Sequence, residues 1–248
     1  MAHARVIKVI RSDGEILDYR ALPMLRRPGA METPIYAMSD GTVISDIPKV
    51  APKSSWHWDN IQTWLKGEAT IRPLGDIVKN IILFLKGQIW LPNDDDYVIL
   101  GLTVIVTYVQ TVFQAVGYLL ATGQAGTGKS QLGEVMVQLC ANGTLVGDTS
   151  AATITRTLDQ TRGFLVLDDI EKLTKTLKGG TSSVDDLLQI LKVSYKKSTA
   201  TRAVTDTKNM TVKMLDFYGV KFMTNTTGIE DILGTRTFIL HTQKAKNG

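Results

Sequence analysis

A glycine-rich stretch at residues 123–130 constrains this chain more than any other feature of the sequence. It satisfies the pattern G-x-x-x-x-G-K-[ST], in which loop N–H groups and a helix N-terminus converge on a polyphosphate. In this pattern Lys129 lies near the β- and γ-phosphates, and the Ser130 hydroxyl binds Mg²⁺. An apolar segment precedes the stretch and an amphipathic one follows it, which favours a phosphate loop over a chance glycine turn. The predicted phosphate-binding residues are Gly123, Gln124, Ala125, Gly126, Thr127, Gly128, Lys129 and Ser130.

A pair of carboxylates further along the chain fits the same chemistry. Four apolar residues at 164–167 are followed by Asp168 and Asp169. A site that hydrolyses nucleotides needs such an acid at the end of a strand that neighbours the loop strand. We therefore predict that Asp168 binds Mg²⁺ together with Ser130, and that Asp169 is the base or the group that orients water. Glu171 competes for the last role, and a helix cap is the structural alternative for the acid pair.

Strands and helices alternate in the second half of the chain. Alternation with short connections and apolar, β-branched strands predicts a parallel sheet that is covered on both faces. The predicted fold class is therefore α/β, with a parallel five-stranded sheet and helices on both faces. The predicted strands are 118–122, 144–146, 164–167, 219–224 and 237–241, and the predicted helices are 129–141, 151–160 and 184–195.

The beginning of the sequence differs from the rest and predicts a small β-rich region at 1–70 that precedes a domain at 71–248. Two Ser-Asp-Gly turns indicate two independent hairpins, because Asp-Gly supplies the positive φ that a tight turn needs. Prolines throughout this region exclude long helices. The predicted hairpin strands are 6–10, 16–19, 35–38 and 42–44.

A run without charged side chains at 97–128 is long enough to cross the roughly 30 Å hydrocarbon core of a membrane. A polar stripe within it argues against that interpretation, because it gives a helix one polar side. Since Gly117 breaks the run, we predict a soluble helix at 95–113, preceded by a helix at 75–86, and no membrane partner. The stripe consists of Thr103, Thr107, Gln110 and Gln114.

Composition sets weaker limits on function. Cys140 is the single cysteine, which excludes an intramolecular disulfide or a multi-thiolate metal site and favours a reducing compartment, the cytoplasm. The hydrophobic fraction of 44% and the charged fraction of 21% are those of a globular protein. The net charge of +4 allows a polyanionic partner without requiring one.

Taken together, these motifs resemble the helicase-like ATPase domain of phage- and plasmid-type primase–helicase proteins, within the AAA+ and superfamily 3 helicase group. The resemblance covers residues 76–240, about two-thirds of the chain, and depends on the order and spacing of its pieces. It implies an AAA+-like P-loop fold with ATP and Mg²⁺ as cofactors. The resembling pieces are Val106-Thr107-Tyr108, residues 118–130, 165–169, 188–197 and 218–225, and Gly234-Thr235-Arg236.

The resemblance also implies roles for two residues late in the sequence. Asn225 resembles the polar sensor that contacts the γ-phosphate or the attacking water. Arg236 resembles the arginine that reads the nucleotide, either within its own subunit or across a subunit boundary. An amide orients water, and a guanidinium stabilises charge on a transferring phosphoryl group. With Lys129, Asp168 and Asp169 these two residues complete the implied catalytic set.

A basic hairpin is expected between the acid pair and Asn225, with strands at 199–205 and 210–215. In superfamily 3 helicases a hairpin at this position projects into the ring channel and grips the nucleic-acid strand. The resemblance therefore implies single-stranded DNA as a partner, with a solvated charged surface as the alternative. The predicted DNA-binding residues are Lys208 at the tip, Lys196, Lys197, Arg202 and Lys213.

The implied function is an ATP-hydrolysing, ring-forming motor that acts on DNA during replication of a phage or mobile element. Its partners would be further copies of the chain in a hexameric ring, DNA, and a primase or another replication protein. The alternative is a nucleotide-dependent switch or assembly scaffold with little ATP turnover. Asp169 favours that alternative, because the family usually has glutamate there and aspartate is one methylene shorter. A GTPase is disfavoured because the Asn-Lys-x-Asp signature is absent.

Overall fold

The structure, a computed structural model, describes residues 5–10, 16–24, 35–38, 43–44, 63, 66–147, 149–161, 163–170, 182–206, 210–226 and 231–244. The first four ranges form one antiparallel sheet in the order β1-β2-β3-β4. Its strands are β1 (Arg5–Ile10), β2 (Ile16–Met24), β3 (Ile35–Met38) and β4 (Val43–Ile44).

Both predicted hairpins are confirmed, but they are not independent of each other. Strand β2 continues past its predicted end at residue 19 to Met24, and its second half pairs with β3. Local patterning could not place this extension, because it depends on pairing with a strand of the other hairpin.

The helices and strands of the rest of the chain follow the predicted alternation, and β5, β6 and β11 match their predicted bounds. These elements are α1 (Leu74–Gln88), α2 (Asp94–Val109), β5 (Tyr118–Thr122), α3 (Lys129–Leu139), β6 (Thr144–Val146), α4 (Ala151–Thr161), β7 (Leu165–Leu167), α5 (Ser182–Val193), β8 (Thr201–Asp206), β9 (Thr211–Asp216), β10 (Lys221–Asn225), α6 (Asp231–Gly234) and β11 (Thr237–His241).

Helix α2 begins with the polar cap that its sequence provides. The Asn93 side chain accepts a hydrogen bond from the N–H of Asp95 at 3.2 Å, and acidic residues fill the first turn, where they favour the positive end of the helix dipole. The helix ends at Val109, and a 3₁₀ turn at Gln110–Val112 continues its predicted length. Helix α1 packs closely against it at Gly101, where an added Cβ would lie 3.1 Å from Ile82.

The polar stripe on α2 is partly buried against the protein. Thr107 and Gln110 have almost no exposed surface, whereas Val98 and Leu102 on the same helix are exposed. The Thr107 hydroxyl accepts a hydrogen bond from the N–H of Ala141, and the Gln110 side-chain oxygen accepts one from the N–H of residue 220. The stripe therefore joins α2 to the sheet domain. Within the described part of the chain, no helix is both long enough and apolar enough to cross a membrane.

The centre of the fold is a five-stranded sheet in the order β11-β5-β10-β7-β6, and all of its neighbouring pairs are parallel. The predicted α/β class and five-stranded parallel sheet are thereby confirmed. One detail of the prediction was wrong: β7, which carries the acid pair, does not neighbour β5. Strand β10 lies between them. Its residue Met223 pairs with Leu120 of β5 on one side and with Leu167 of β7 on the other.

Helices cover both faces of this sheet, as predicted. Helix α3 lies on one face, where Gly133 brings its backbone so close that an added Cβ would meet Val166 at 2.9 Å and Phe222 at 3.4 Å. Helix α5 lies on the opposite face, where the Tyr118 hydroxyl donates to the carbonyl oxygen of Leu191 at 2.8 Å. Successive residues of a strand point to opposite faces, so Tyr118 and Phe222, whose register partner is Leu119, lie on different sides.

Strands β8 and β9 form the predicted hairpin, which extends from the edge of the sheet where β10 begins. The N–H of Phe217 donates to the carbonyl oxygen of Ala200 and closes the base of the hairpin. Lys221, at the start of β10, is completely buried, and its Nζ donates to the carbonyl oxygens of Phe217 and Gly219 at 3.2 and 2.9 Å. Burial lowers the pKa of Lys221 to about 7. The buried Lys221 side chain therefore holds the turn that joins the hairpin to the sheet.

Candidate phosphate-binding site

The loop at residues 123–128 connects the end of β5 to the start of α3, as the sequence predicts. Gly126 and Gly128 have positive φ angles of 74° and 84°, a conformation that favours glycine. Gly123 has a φ of 157°, and a Cβ there would collide with the carbonyl oxygen of Thr242. These glycines therefore let the backbone follow a path that is closed to residues with side chains.

Lys129 is the first residue of α3, and its side chain folds over the loop. Its Nζ donates to the carbonyl oxygens of Gly123 and Gln124, both at 2.8 Å. The Thr127 hydroxyl donates to the same Gln124 oxygen and makes a 2.7 Å hydrogen bond to the Thr242 hydroxyl. These hydrogen bonds hold the loop in one conformation. The Lys129 ammonium and the positive end of the α3 dipole lie close together, an arrangement that favours binding of an anion.

The two predicted metal ligands are in direct contact. The Ser130 hydroxyl donates to the Asp168 carboxylate at 3.0 Å, and the Thr224 hydroxyl donates to the same oxygen at 2.6 Å. One hydroxyl and one carboxylate suit Mg²⁺, which keeps several waters and completes its octahedron with substrate phosphates. The residues present therefore fit the ion that the sequence implies, with Ser130 and Asp168 as the side chains that would hold it.

Asp169 follows in an unusual backbone conformation. Its φ of 56° lies in the left-handed region, which aspartate tolerates better than most residues, and its N–H donates to the Thr224 hydroxyl at 2.8 Å. The side chain is exposed at the edge of the sheet. Thr224 therefore positions both members of the acid pair, a role that the sequence did not indicate. The competitor Glu171 lies outside the described residues.

Asn225 ends β10 and is buried. It pairs in register with Thr122, the last residue before the loop. The carboxyl edge of the sheet thus brings together the loop, Ser130, Asp168 and Asn225, with Asp169 beside them. This matches the edge at which open parallel sheets bind ligands.

Arg236 does not join this group. It precedes β11, whose first residue pairs with Tyr118 at the start of β5, so it lies at the amino edge of the sheet. A rise of about 3.3 Å per residue places the two edges roughly 15 Å apart. The guanidinium donates to the carbonyl oxygen of Lys192 and stacks 4.3 Å from the Tyr195 ring centroid. The predicted alternative in which Arg236 reads the nucleotide of its own subunit was therefore wrong.

Three residues that the sequence analysis missed lie against the loop. The side chain of Ile89, which follows the last residue of α1, is 3.4 Å from the Cβ position of Gly128. The Gln131 side-chain amide donates to the carbonyl oxygen of Gln88 at 3.2 Å. Lys244 places its Cε 3.9 Å from the Cβ position of the loop's middle glycine, residue 126. No local motif marks these residues, because only the tertiary fold brings them to the loop.

The predicted DNA-binding residues fall into separate environments. Lys213 makes a 2.9 Å ion pair with Asp159, which is buried and also accepts from the N–H of residue 216. The ion pair joins the hairpin to α4, while the Lys213 side chain remains 64% exposed, so its predicted contact with DNA stays a prediction. Arg202 is exposed on β8, Lys196 and Lys197 lie between α5 and β8, and Lys208 lies outside the described residues. The Lys197 ammonium is 6.0 Å from the Tyr218 ring centroid.

Comparison with known proteins adds no assignment. The chain matches no protein-family model, and no curated protein is significantly similar to it in sequence.

The position of Thr224 predicts a specific stability effect. Thr224→Val removes the hydroxyl that binds Asp168 and leaves the N–H of Asp169 without its acceptor, so the free energy of unfolding should fall by about 1–3 kcal/mol. Thr224→Ser keeps the hydroxyl and should retain most of that stability. Denaturant unfolding of both variants measures the difference. A loss in the serine variant as large as in the valine variant would show that the methyl group, not the hydroxyl, stabilises this edge.

Proposed function

We propose that the chain is a P-loop ATPase of the AAA+ and superfamily 3 helicase type, which hydrolyses ATP with Mg²⁺. The observation that carries this proposal is the contact between Ser130, in the first turn of α3, and Asp168, which follows β7. Two residues distant in the sequence, each expected to bind the same ion, meet within hydrogen-bond distance. The insertion of β10 between the loop strand and the acid strand supports it, because β10 brings the expected sensor Asn225 to the same edge.

The arrangement supports a defined division of labour. Loop N–H groups and Lys129 would bind the phosphates, and Ser130 and Asp168 would hold a Mg²⁺ ion, which would supply positive charge to neutralise the phosphates. A water molecule attacks the γ-phosphorus as the bond to the bridging oxygen breaks, and its proton passes to the exposed Asp169 carboxylate. Asn225 orients that water through its side-chain amide. The leaving group is ADP, and the second product is inorganic phosphate.

Removing the loop cation tests the phosphate site. Lys129→Ala should lower the rate of ATP hydrolysis by about 100-fold, because a positioned charge-assisted donor to the phosphates is lost. Lys79→Ala, an exposed lysine on α1, serves as the matched control and should change nothing. Isothermal titration and phosphate release measure binding and turnover. Undiminished binding and hydrolysis in the Lys129 variant would contradict the proposal.

The same assay separates a motor from a switch. With protein in excess over ATP, a motor forms ADP within one turnover, whereas a switch binds ATP tightly and forms almost none. The short side chain of Asp169 favours the switch, since its carboxylate lies one methylene further from the water than that of glutamate. Under the motor hypothesis, single-turnover product forms in the wild type. If it forms only in Asp169→Glu, the wild-type chain is the switch.

The place of Arg236 supports the proposed assembly into a ring. Its guanidinium lies at the amino edge of the sheet, away from the loop of its own subunit, and is partly exposed. A head-to-tail interface would place this edge of one subunit against the carboxyl edge of the next, and repetition of that interface closes a ring. We assign Arg236 to the neighbouring subunit's nucleotide, where it stabilises the charge on the transferred phosphoryl group.

Mixing two inactive variants tests this assignment. Arg236→Ala and Asp168→Asn should each abolish hydrolysis, yet an equal mixture should recover activity, because about a quarter of its interfaces combine an intact loop side with an intact arginine. The control mixture, Lys129→Ala with Asp168→Asn, places both defects on the loop side and should stay inactive. Steady-state phosphate release measures recovery. Equal activity in the two mixtures, or sedimentation of ATP-bound protein as monomers only, would remove the arginine from the mechanism.

The β8–β9 hairpin is the part of the chain that we propose to contact single-stranded DNA. It extends from the edge opposite the loop, and β10 connects its base directly to Asn225. Arg202 is exposed on β8, and Lys208, which follows β8 in the sequence, lies outside the described residues. These two residues are the proposed phosphate contacts, together with Lys213, which also pairs with Asp159.

Salt dependence distinguishes DNA contacts from a solvated surface. Arg202→Ala should weaken binding to single-stranded DNA and reduce the slope of log affinity against log salt by about 0.7, the effect of one lost phosphate contact. Lys208→Ala should act in the same way, and Lys79→Ala should leave the slope unchanged. Fluorescence anisotropy with a labelled oligonucleotide measures the slopes. Slopes that are identical in all three variants would exclude the hairpin as a DNA contact.

A further inference from the structure

An exposed tryptophan lies beside the loop without a role in the site described above. Trp90 has 46% of its surface exposed, although its neighbours Ile89 and Leu91 are buried at 8% and 3%. The indole is therefore available for contact with a ligand or a partner, with an apolar body and a polar N–H.

The backbone on both sides of Trp90 is held by one hydroxyl group. The Tyr97 hydroxyl accepts a hydrogen bond from the N–H of Leu91 at 2.7 Å and donates to the carbonyl oxygen of Ile89 at 2.9 Å. Tyr97 is itself buried at 3% exposure, and the Lys86 ammonium lies 5.1 Å from its ring centroid. The indole is thus attached to a fixed segment and has only two side-chain torsions to order when it binds a partner.

This fixed segment lies against the phosphate loop. The Ile89 side chain is 3.4 Å from the Cβ position of Gly128, and Gln131, in the first turn of α3, donates to the carbonyl oxygen of Gln88. Consecutive Cα atoms are about 3.8 Å apart, so the Cα atom of Trp90 is about that far from the Cα atom of Ile89, the residue that contacts the loop.

The other aromatic side chains exposed in the described residues lie elsewhere. The Phe238 ring is in contact with Gly117 at the amino edge of the sheet, and Phe113 lies in the segment that leads into β5 from its amino end. Phe84 lies on α1, more than one helical turn before the segment that touches the loop. Among the exposed aromatic side chains of the described residues, Trp90 is therefore the one that adjoins the residue in contact with the loop.

We propose that the Trp90 indole stacks on the purine base of the bound nucleotide, so that the segment at residues 88–91 forms the base side of the site. This inference rests on the proposed ATPase function and deepens it. The loop recognises phosphates alone, and a base has a π-face that an indole can cover. Trp90 then supplies the part of the affinity that depends on the base, and a purine, having the larger ring system, gains more from it than a pyrimidine.

A probe without a base tests the inference. Isothermal titration of the full chain with Mg²⁺ should show that Trp90→Ala weakens ATP binding about tenfold, a typical effect of one base–aromatic stack. Binding of inorganic tripolyphosphate, which has no base, should be unchanged. Trp90→Phe should retain most of the ATP affinity, CTP should lose less than ATP in the alanine variant, and Phe84→Ala should bind both probes as the wild type does.

The outcomes separate this inference from the function on which it rests. If the wild type binds neither ATP nor tripolyphosphate, the proposed ATPase function fails, and the stacking fails with it. If it binds both, but Trp90→Ala leaves both affinities unchanged or lowers them equally, only the stacking is overturned. A monomer–oligomer shift in Trp90→Ala with unchanged ATP binding would instead assign the indole to contact between copies of the chain.

Discussion

The Asp168 carboxylate receives hydrogen bonds from Ser130 of the loop helix and Thr224 of β10, and the candidate site depends on this double contact. Each of the three residues belongs to a different element, so the contact fixes the loop, the acid and the sensor strand relative to one another. The sheet order makes it possible, because β10 lies between β5 and β7. A hydroxyl on the central strand can then reach the acid on one side while Asn225 borders the loop on the other.

The same strand also joins the two edges of the molecule. β10 begins at Lys221, whose buried side chain holds the turn below the hairpin, and it ends at Asn225 beside the loop. Buried strands of a parallel sheet do not bend easily, because neighbours on both sides pair with them. A displacement of Asn225 by the nucleotide would therefore reach the hairpin base as a rigid shift. Burial disfavours the charged form of Lys221, and its Nζ holds the turn through hydrogen bonds to two backbone carbonyl oxygens.

Much of the fold and the centre of the site could be predicted from sequence because they depend on local signals. Glycine spacing, apolar strand runs and the acid pair each lie within a few consecutive residues, and the structure confirms the elements that carry them. What was missed depends on tertiary pairing: the place of β10 beside β7, the hydroxyl of Thr224, the contact of Ile89 with the loop, and the ion pair of Lys213. The sequence alone does not distinguish a lysine that contacts DNA from a lysine that pairs with a buried aspartate.

Under the proposed assembly, the position of Arg236 would let a second subunit complete the candidate site. At the carboxyl edge, within the described residues, two cations, Lys129 and Lys244, lie at the loop, and two carboxylates, Asp168 and Asp169, follow β7. These charges roughly cancel, which suits a bound ATP–Mg²⁺ but leaves little positive charge for the phosphoryl group as its bond breaks. A cation from outside the subunit would meet that need only after assembly. Under the proposed function, hydrolysis would then depend on a neighbour, because an isolated subunit would bind the nucleotide without the charge that completes the reaction.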